Sequence, residues 1–357
     1  MCRAFIRSLV LCFAFAVVLA SRVNVQAGTS DGRLDIYFID VEGGAATLIV
    51  TPGNESLLID SGYPDYGGRD RDRILKVIRD VAKLDHLDHA AVSHWHLDHY
   101  GNHASLAAQI KVLNFWDRGI PETLAEDKDF EKRMVDYRAA SQNKSKTLKV
   151  GDTLPLKDWV MKGKQTPLSV KVVTASREVI PNVGTPNPFA AENKQQDNDP
   201  TDNAASVSLL LKFGKFSFLT CGDLTWNIEA KLMSPNNPIG QVEMFMVTHH
   251  GLGVSNNPTL VLPIDPRVCV MCNGPTKGCD VGTNATLRRI KSLQAVYQLH
   301  RNVRLKADEQ TPIELIANDS ETATCKGTFV KASVAADGAS YTVQIGADGQ
   351  PREFQTR

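Results

Sequence analysis

The run Ser93-His94-Trp95-His96-Leu97-Asp98-His99 packs three imidazoles and a carboxylate into six positions. Imidazole nitrogen and carboxylate oxygen are the donors a borderline transition metal takes, and packing has no use for four of them at this spacing. The apolar residues Ala90-Ala91-Val92 just before read as the end of a buried strand, which puts the motif on a loop. On an extended turn, His94 and His96 reach one ion from the same side. Asp98 and His99, at the start of a following helix, point to a second position, so the spacing predicts two ions. In the sequel Tyr100-Gly101-Asn102-His103, the glycine lets the backbone pass close to the site before a helix of about 104–109. His103, a turn further on, is expected behind the ligands or at the surface.

His-x-His-x-Asp-His after a strand resembles the signature of the metallo-β-lactamase superfamily, and three further signposts follow in order. Asp60-Ser61-Gly62 closes the apolar strand Leu57-Leu58-Ile59 and is similar to the superfamily's early Asp-x-Gly turn, whose aspartate orients a ligand histidine. Gly222-Asp223, after Phe216 to Thr220, is similar to the place of the bridging aspartate, and Thr248-His249-His250-Gly251, after Met244 to Val247, to the last ligand motif. With Ile39-Asp40-Val41-Glu42-Gly43-Gly44 and Leu219-Thr220-Cys221-Gly222-Asp223, the chain over about residues 34–275 resembles the metallo-hydrolase domain attached to bacterial competence DNA-uptake channels. It departs from that pattern at Asn102, where a second glycine is usual, at Leu252, where a serine is usual, and in lacking a multi-helix channel. The resemblance implies metal ligands His94, His96, Asp98, His99, Asp223 and His250 around two divalent ions. Adjacent residues at a strand end point to opposite faces, so only one of His249 and His250 is expected to ligate. His250, followed by glycine, takes that place and His249 faces the substrate.

Superfamily members often carry another histidine before the bridging aspartate, yet this chain has none from Ala104 to Gly222. By resemblance to the competence-type proteins, Asp202-Asn203-Ala204-Ala205-Ser206 fills that place. Asn203 and Ser206 either offer oxygen there or only cap a turn. An oxygen ligand in place of nitrogen makes Mn2+ an alternative to Zn2+.

Two ions roughly 3.5–4 Å apart, bridged by Asp223 and a hydroxide, would lower a water's pKa toward neutrality, with Asp98 orienting the nucleophile. Asp98 and His249 are therefore the catalytic candidates. Asn273 and Lys277, on the turn Asn273-Gly274-Pro275-Thr276-Lys277-Gly278, are candidates for gripping substrate oxygens, the alternative being a simple hairpin. A phosphodiester-type substrate is the first expectation and a small ester, lactone or β-lactam the second. A non-catalytic metal-binding surface protein is the third, since fold and metal do not choose a substrate.

Forty basic and forty acidic residues give a formal net charge of zero, which argues against capture of extended nucleic acid by charge. Residues 1–27, with Arg3 and Arg7, an apolar core from Leu9 to Ala20 and Val25-Gln26-Ala27, read as a cleavable leader to a periplasmic or secreted destination. The apolar run is too short for a confident span, so no membrane span is expected in the mature chain. Cys2 and Cys12 leave with the leader. In an oxidising compartment Cys272 with Cys279, or Cys269 or Cys272 with Cys325, are the expected disulfides, leaving Cys221 free.

The elements that must hold these residues fall into two β-rich halves. Strands at about 34–40, 45–50, 55–60 and 89–93, with a helix at 70–82, make the first half. Strands at about 169–175, 206–212, 216–220, 242–247 and 267–272, with helices near 224–233 and 284–297, make the second. Facing sheets flanked by helices predict an α+β fold, a four-layer αββα sandwich over residues 28–310, with every metal motif at a strand end. A charged helical stretch at 124–141 reads as an insertion that covers the site. The polar tract 193–202 reads as a loop. Residues 311–357 are expected as a C-terminal β extension packed on the sandwich. The sequence leaves the oligomeric state open.

Overall fold

The computed structural model describes residues 31–161, 163–319 and 322–357, so residues 1–27, expected as a leader, lie outside the described residues. Two nine-stranded sheets face one another. The first runs, edge to edge, through strands Arg352–Gln355, Ser340–Ile345, Val330–Val334, Leu34–Phe38, Thr47–Val50, Ser56–Ile59, His86–Ala91, Lys111–Asp117 and Lys146–Thr147. The second runs through Glu178–Val179, Leu168–Ala175, Ser208–Phe213, Phe216–Thr220, Met244–Met246, Val268–Met271, Ala295–His300 and Ile316–Asn318, with Thr153–Leu154 also on Leu168–Ala175.

Period-two alternation sorts the apolar residues into layers. Leu34, Ile36 and Phe38 enter the core between the sheets, where Val170, Leu211, Phe218 and Val270 meet them. Tyr37 and Ile39 point the other way, onto Ile74, Leu75 and Ile78 of the helix that covers the first sheet. On the far side Leu219, Phe245 and Met271 pack on Leu232, Leu260, Val261 and Leu287 from the second sheet's helices. Phe38 and Phe218 make an edge-to-face contact across the central layer at 5.7 Å between centroids. The result is the α/β/β/α layering that two amphipathic sheets and their one-sided helices require.

Three elements differ from the sequence reading. The helix expected near 284–297 stops early: Val281–Leu287 is helical, and Ala295–His300 is a strand parallel to Val268–Met271. Its residues alternate, with Ala295, Tyr297 and Leu299 in the central core and Val296 against the helical side, which is a strand's period. The C-terminal residues are not a unit packed on the sandwich. Ile316–Asn318 closes the second sheet beside Ala295–His300, while Val330–Val334 pairs with Leu34–Phe38 and carries the first sheet outward by three strands. An unpaired Leu34–Phe38 edge, buried on both faces, would leave a row of backbone donors and acceptors without partners. The insertion is helical only over Phe130–Ala140, and its Phe130, Met134 and Tyr137 pack with Trp95.

The expected disulfides are absent: all five cysteines among the described residues are free. Cys269 and Cys272 lie on opposite faces of their strand, one in each core layer, and Cys279 lines the outer layer with Cys269. Cys325 sits instead beside Asp40 and His300. The polar tract at 193–202 is tied down by Arg177, which donates to the carbonyls of Asp199, Pro200 and Thr201.

Candidate metal centre

The site assembles where the strands of both sheets end. After Ser56–Ile59 the chain turns at Asp60, whose φ of 61° is left-handed. That strained turn aims the carboxylate at the next strand's exit. Its Oδ1 accepts the Ser93 N–H at 2.8 Å, and its Oδ2 accepts both the Ser93 hydroxyl and His99 Nδ1, each at 2.8 Å. Asp60 thereby fixes the tautomer of His99 and turns its Nε2 inward. The short helix Leu97–Tyr100 that carries Asp98 and His99 lies against a glycine-lined loop, and the Asp98 carbonyl accepts the Ala45 N–H at 3.0 Å. A Cβ on Gly44 would stand 2.5 Å from that same carbonyl, so only glycine allows the approach.

His249 and His250 both adopt left-handed backbone, at φ 54° and 55°. The expectation that they face opposite ways assumed extended geometry and is overturned here. Each ring presents Nε2 to Asp223 Oδ2 at 3.3 Å. His250 Nδ1 donates to the Cys272 carbonyl at 3.0 Å, and His249 Nδ1 lies 3.1 Å from the Ser255 hydroxyl. Gly278 must be glycine for this turn to close, because a Cβ there would meet the His250 carbonyl at 2.0 Å.

Asp98, His99, Asp223 and His250 are buried and offer donor atoms that all lie within 4.8 Å of one another. His99 Nε2 stands 3.2 Å from Asp223 Oδ2, 3.5 Å from Asp98 Oδ2 and 3.3 Å from His250 Nε2. His250 Nε2 is 3.3 Å from each carboxylate. Donors held about 2.1 Å from a tetrahedral ion lie roughly 3.4 Å apart, so five edges of this four-atom cluster have the length an ion dictates. The donor set fits a divalent metal.

The charges agree. Burial opposes ionisation of Asp98, but His99, His250 and Lys277 outweigh it and hold the carboxyl well below its usual range. Burial likewise opposes ionisation of Asp223, and His249, His250 and His99 outweigh it. Burial works against a charged His99, yet Asp223, Asp98 and Asp60 raise it well above the ordinary imidazole value. His249 is pushed down to about 4, mainly by burial, and is neutral.

His94 and His96 do not join that cluster. His94 is fully buried: its Nδ1 lies 3.1 Å from the Ser93 hydroxyl, and its Nε2, 3.9 Å from Asp223 Oδ2, has no hydrogen-bond partner among the described residues. His96 Nε2 is engaged by Glu126 Oε1 at 3.3 Å, from the segment leading into the inserted helix. Ser206 braces the centre from behind, its hydroxyl accepting the Asp223 N–H at 3.2 Å. Asn203 makes no side-chain hydrogen bond through Oδ1 among the described residues. Its neighbour Asp202, the first residue of the segment 202–206, does more: it accepts the Trp95 N–H at 2.6 Å and pairs with Arg118. Asp202 thus clamps the middle of the histidine loop from across the chain, a long-range contact with no local signal.

Asn273 is not a substrate group. It is fully buried and donates to the Gly274 and His300 carbonyls at 3.1 and 2.7 Å, stitching two strand ends together. Lys277 does reach the centre, where Nζ contacts Asp98 Oδ2 and lies 3.5 Å from the Tyr63 hydroxyl. Tyr63 was not singled out from sequence. His103 is buried, its Nδ1 2.7 Å from the Ser61 hydroxyl, one layer behind His99.

The layering and the strand-end donors define the metallo-β-lactamase fold, and residues 39–188 match the family model of the metallo-beta-lactamase superfamily. No curated protein matches the sequence. Among solved structures, the chain is similar to the metallo-beta-lactamase fold protein YhfI from Bacillus subtilis, at 12% identity and a TM-score of 0.42, covering 74% of this chain and 96% of that one. It is similar to a putative metal-dependent hydrolase from Parabacteroides distasonis, at 12% identity and 0.39, covering 74% and 93%. It is also similar to CmlA, a diiron beta-hydroxylase from Streptomyces venezuelae, at 14% identity and 0.38, covering 72% and 47%.

Proposed function

We propose that this chain is an exported metal-dependent hydrolase acting on a phosphodiester-type substrate. The observation that carries the reading is the four-donor cluster of Asp98, His99, Asp223 and His250, spaced as an ion would space it. A divalent ion held there supplies an activated water near neutral pH and a Lewis acid for developing negative charge. Asp98, His99, Asp223 and His250 would hold the ion. His249, kept neutral by burial, borders Asp223 and orients a substrate or water proton through Nε2. Lys277 is held protonated beside Asp98, for although burial opposes the charge, Asp98 and Asp223 restore it. With the Tyr63 hydroxyl it offers a cation and a donor to the non-bridging oxygens of a phosphoryl group. His94 and His96 are the histidines that would hold a second ion, and His96 Nε2 is engaged by Glu126 at 3.3 Å. The leader pattern at 1–27 supports export.

Hydrolysis of a small ester, lactone or β-lactam is the second reading. It is favoured by the loop after His250, where Leu252 and the 58% exposed Val254 give the rim an apolar side. Mature protein loaded with zinc or manganese and offered bis(p-nitrophenyl) phosphate, nitrocefin and p-nitrophenyl acetate separates the two. Diester cleavage that falls in Lys277→Met supports the first reading. Turnover of nitrocefin or the acetate alone replaces it with the second, and ion binding without turnover of any of the three leaves a binding protein.

A further inference from the structure

A second donor cluster lies on the other side of the glycine loop. Asp40, just past the strand Leu34–Phe38, His300, at the end of Ala295–His300, and Cys325, in the connection to Val330–Val334, converge with Glu42 so that one donor atom from each lies within 4.8 Å of the others. His300 Nε2 is 2.7 Å from Asp40 Oδ1, and Cys325 Sγ is 3.4 Å from Asp40 Oδ2 and 4.0 Å from His300 Nε2. Asp40 and His300 are fully buried.

A cysteine, a histidine and an aspartate suggest a nucleophilic relay, but the geometry contradicts one. A relay uses the two ring nitrogens in opposite senses, one toward the carboxylate and the other toward the nucleophile. Here both neighbours approach Nε2, while Nδ1 has no hydrogen-bond partner among the described residues. Three unlike donors from three separate elements, aimed at one point, are the pattern of a ligand set.

We propose that Asp40, His300 and Cys325 form a structural site for a thiophilic divalent cation of the zinc class, distinct from the centre at Asp223. Zn–S of about 2.3 Å and Zn–N of about 2.0 Å place such donors roughly 3.3–3.6 Å apart. The Cys325–Asp40 edge, to Oδ2 at 3.4 Å, falls in that range, the Cys325–His300 edge at 4.0 Å has to close by about 0.4 Å, and the Asp40–His300 edge, to Oδ1 at 2.7 Å, has to open by about 0.6 Å. The ion takes the place of the proton shared by Asp40 and His300 and of the Cys325 thiol proton, so two protons leave as two charges arrive. Glu42 stays outside the coordination, because Arg73 and Arg69 hold its two oxygens at 2.8 Å each. Arg73 also pairs with Asp40 Oδ2 at 2.9 Å, which offsets the second carboxylate and keeps the charge near the ion balanced.

The site's role follows from its position. Asp40 begins the loop whose Gly44 abuts the Asp98 carbonyl, and a Cβ on Gly43 would meet the Lys277 side chain at 3.2 Å. An ion at Asp40 therefore pins the wall between the two clusters, and with it the Lys277 rim.

Cobalt(II) tests this, because of the two clusters among the described residues the second alone contains a cysteine. Metal-stripped full-length protein, kept reduced with a phosphine, is titrated with cobalt while near-ultraviolet absorption is followed. The wild type is expected to develop a thiolate-to-cobalt charge-transfer band. Cys325→Ser should lose the band and one metal equivalent while keeping the circular dichroism of the fold, and His250→Ala, with Cys325 intact, should keep the band. Absence of the band in the wild type at saturating cobalt overturns the proposal, as does its survival in Cys325→Ser.

Discussion

At the scale of single residues, the centre is built less by its ligands than by what aims them. His99 and His250 each spend Nδ1 on an oxygen, of Asp60 and of the Cys272 backbone, and so present Nε2. Removing an oxygen of this kind costs about 10–100-fold in metal affinity. Asp60→Ala is expected to weaken zinc binding by that factor without altering the number of ions, as measured by competition with a chromophoric chelator. The two adjacent histidines separate by the same logic. Both reach Asp223, but only His250 also reaches Asp98. His250→Ala should lose the ion, whereas His249→Ala should keep it and lose turnover, with metal content and rate read on the same samples. The opposite order would exchange their roles. Asp98 and His99 were legible from spacing because strand ends and metal chemistry constrain residue type locally, whereas Asp223 and His250 were expected from the family resemblance. The left-handed turn at His249 and His250 was not, since nothing in His-His-Gly states a positive φ at the histidines themselves. Tyr63 and the clamp that Asp202 makes were missed for a different reason: their partners Lys277 and Trp95 lie far along the chain.

Elements carry a second layer of the argument. The helix Trp226–Met233 buries Glu229, whose carboxylate accepts the Asn256 and Asn257 N–H groups at 3.1 and 2.7 Å. That contact ties the helix to the loop following His249-His250-Gly251. Burial, only partly offset by those two donors, pushes Glu229 from 4.5 up to about 8. The folded chain thus holds a proton that the unfolded chain releases, and stability from this group falls as pH rises from 4.5 through about 8. Melting temperature of the metal-free protein is expected to decline across that window, and Glu229→Gln, neutral at every pH, to flatten the decline. An unchanged slope in the variant would show that another group titrates there. Strands with clean alternation, such as Leu34–Phe38 and Phe216–Thr220, were readable because one period decides both faces. Ala295–His300 was not, because it follows closely on a helix with no strong breaker between them. The C-terminal strands were recognisable as strands, but a sequence does not state which edge a strand joins, and pairing with Leu34–Phe38 spans nearly the whole chain.

For the whole molecule, the two sheets meet in one apolar layer that sets the distance between the donor loops. Asp60, Asp98 and His99 come from the first sheet and Asp223, His249 and His250 from the second, so the centre exists only while the sheets are packed. Phe218, fully buried against Phe38, is a keystone of that layer. Phe218→Ala is expected to cost about 3–5 kcal/mol. Denaturant unfolding should register that loss, and added zinc should recover part of it, because an ion that binds only the folded chain stabilises it by mass action. The central claim is that Asp98, His99, Asp223 and His250 form a ready-made metal site, and calorimetric titration of metal-stripped protein with zinc tests it most directly. In a Cys325→Ser background, which removes the second cluster's thiol and none of the four donors, one tight ion is predicted, lost on Asp98→Asn or His250→Ala while circular dichroism stays unchanged. Undiminished tight binding in both of those variants would contradict the account.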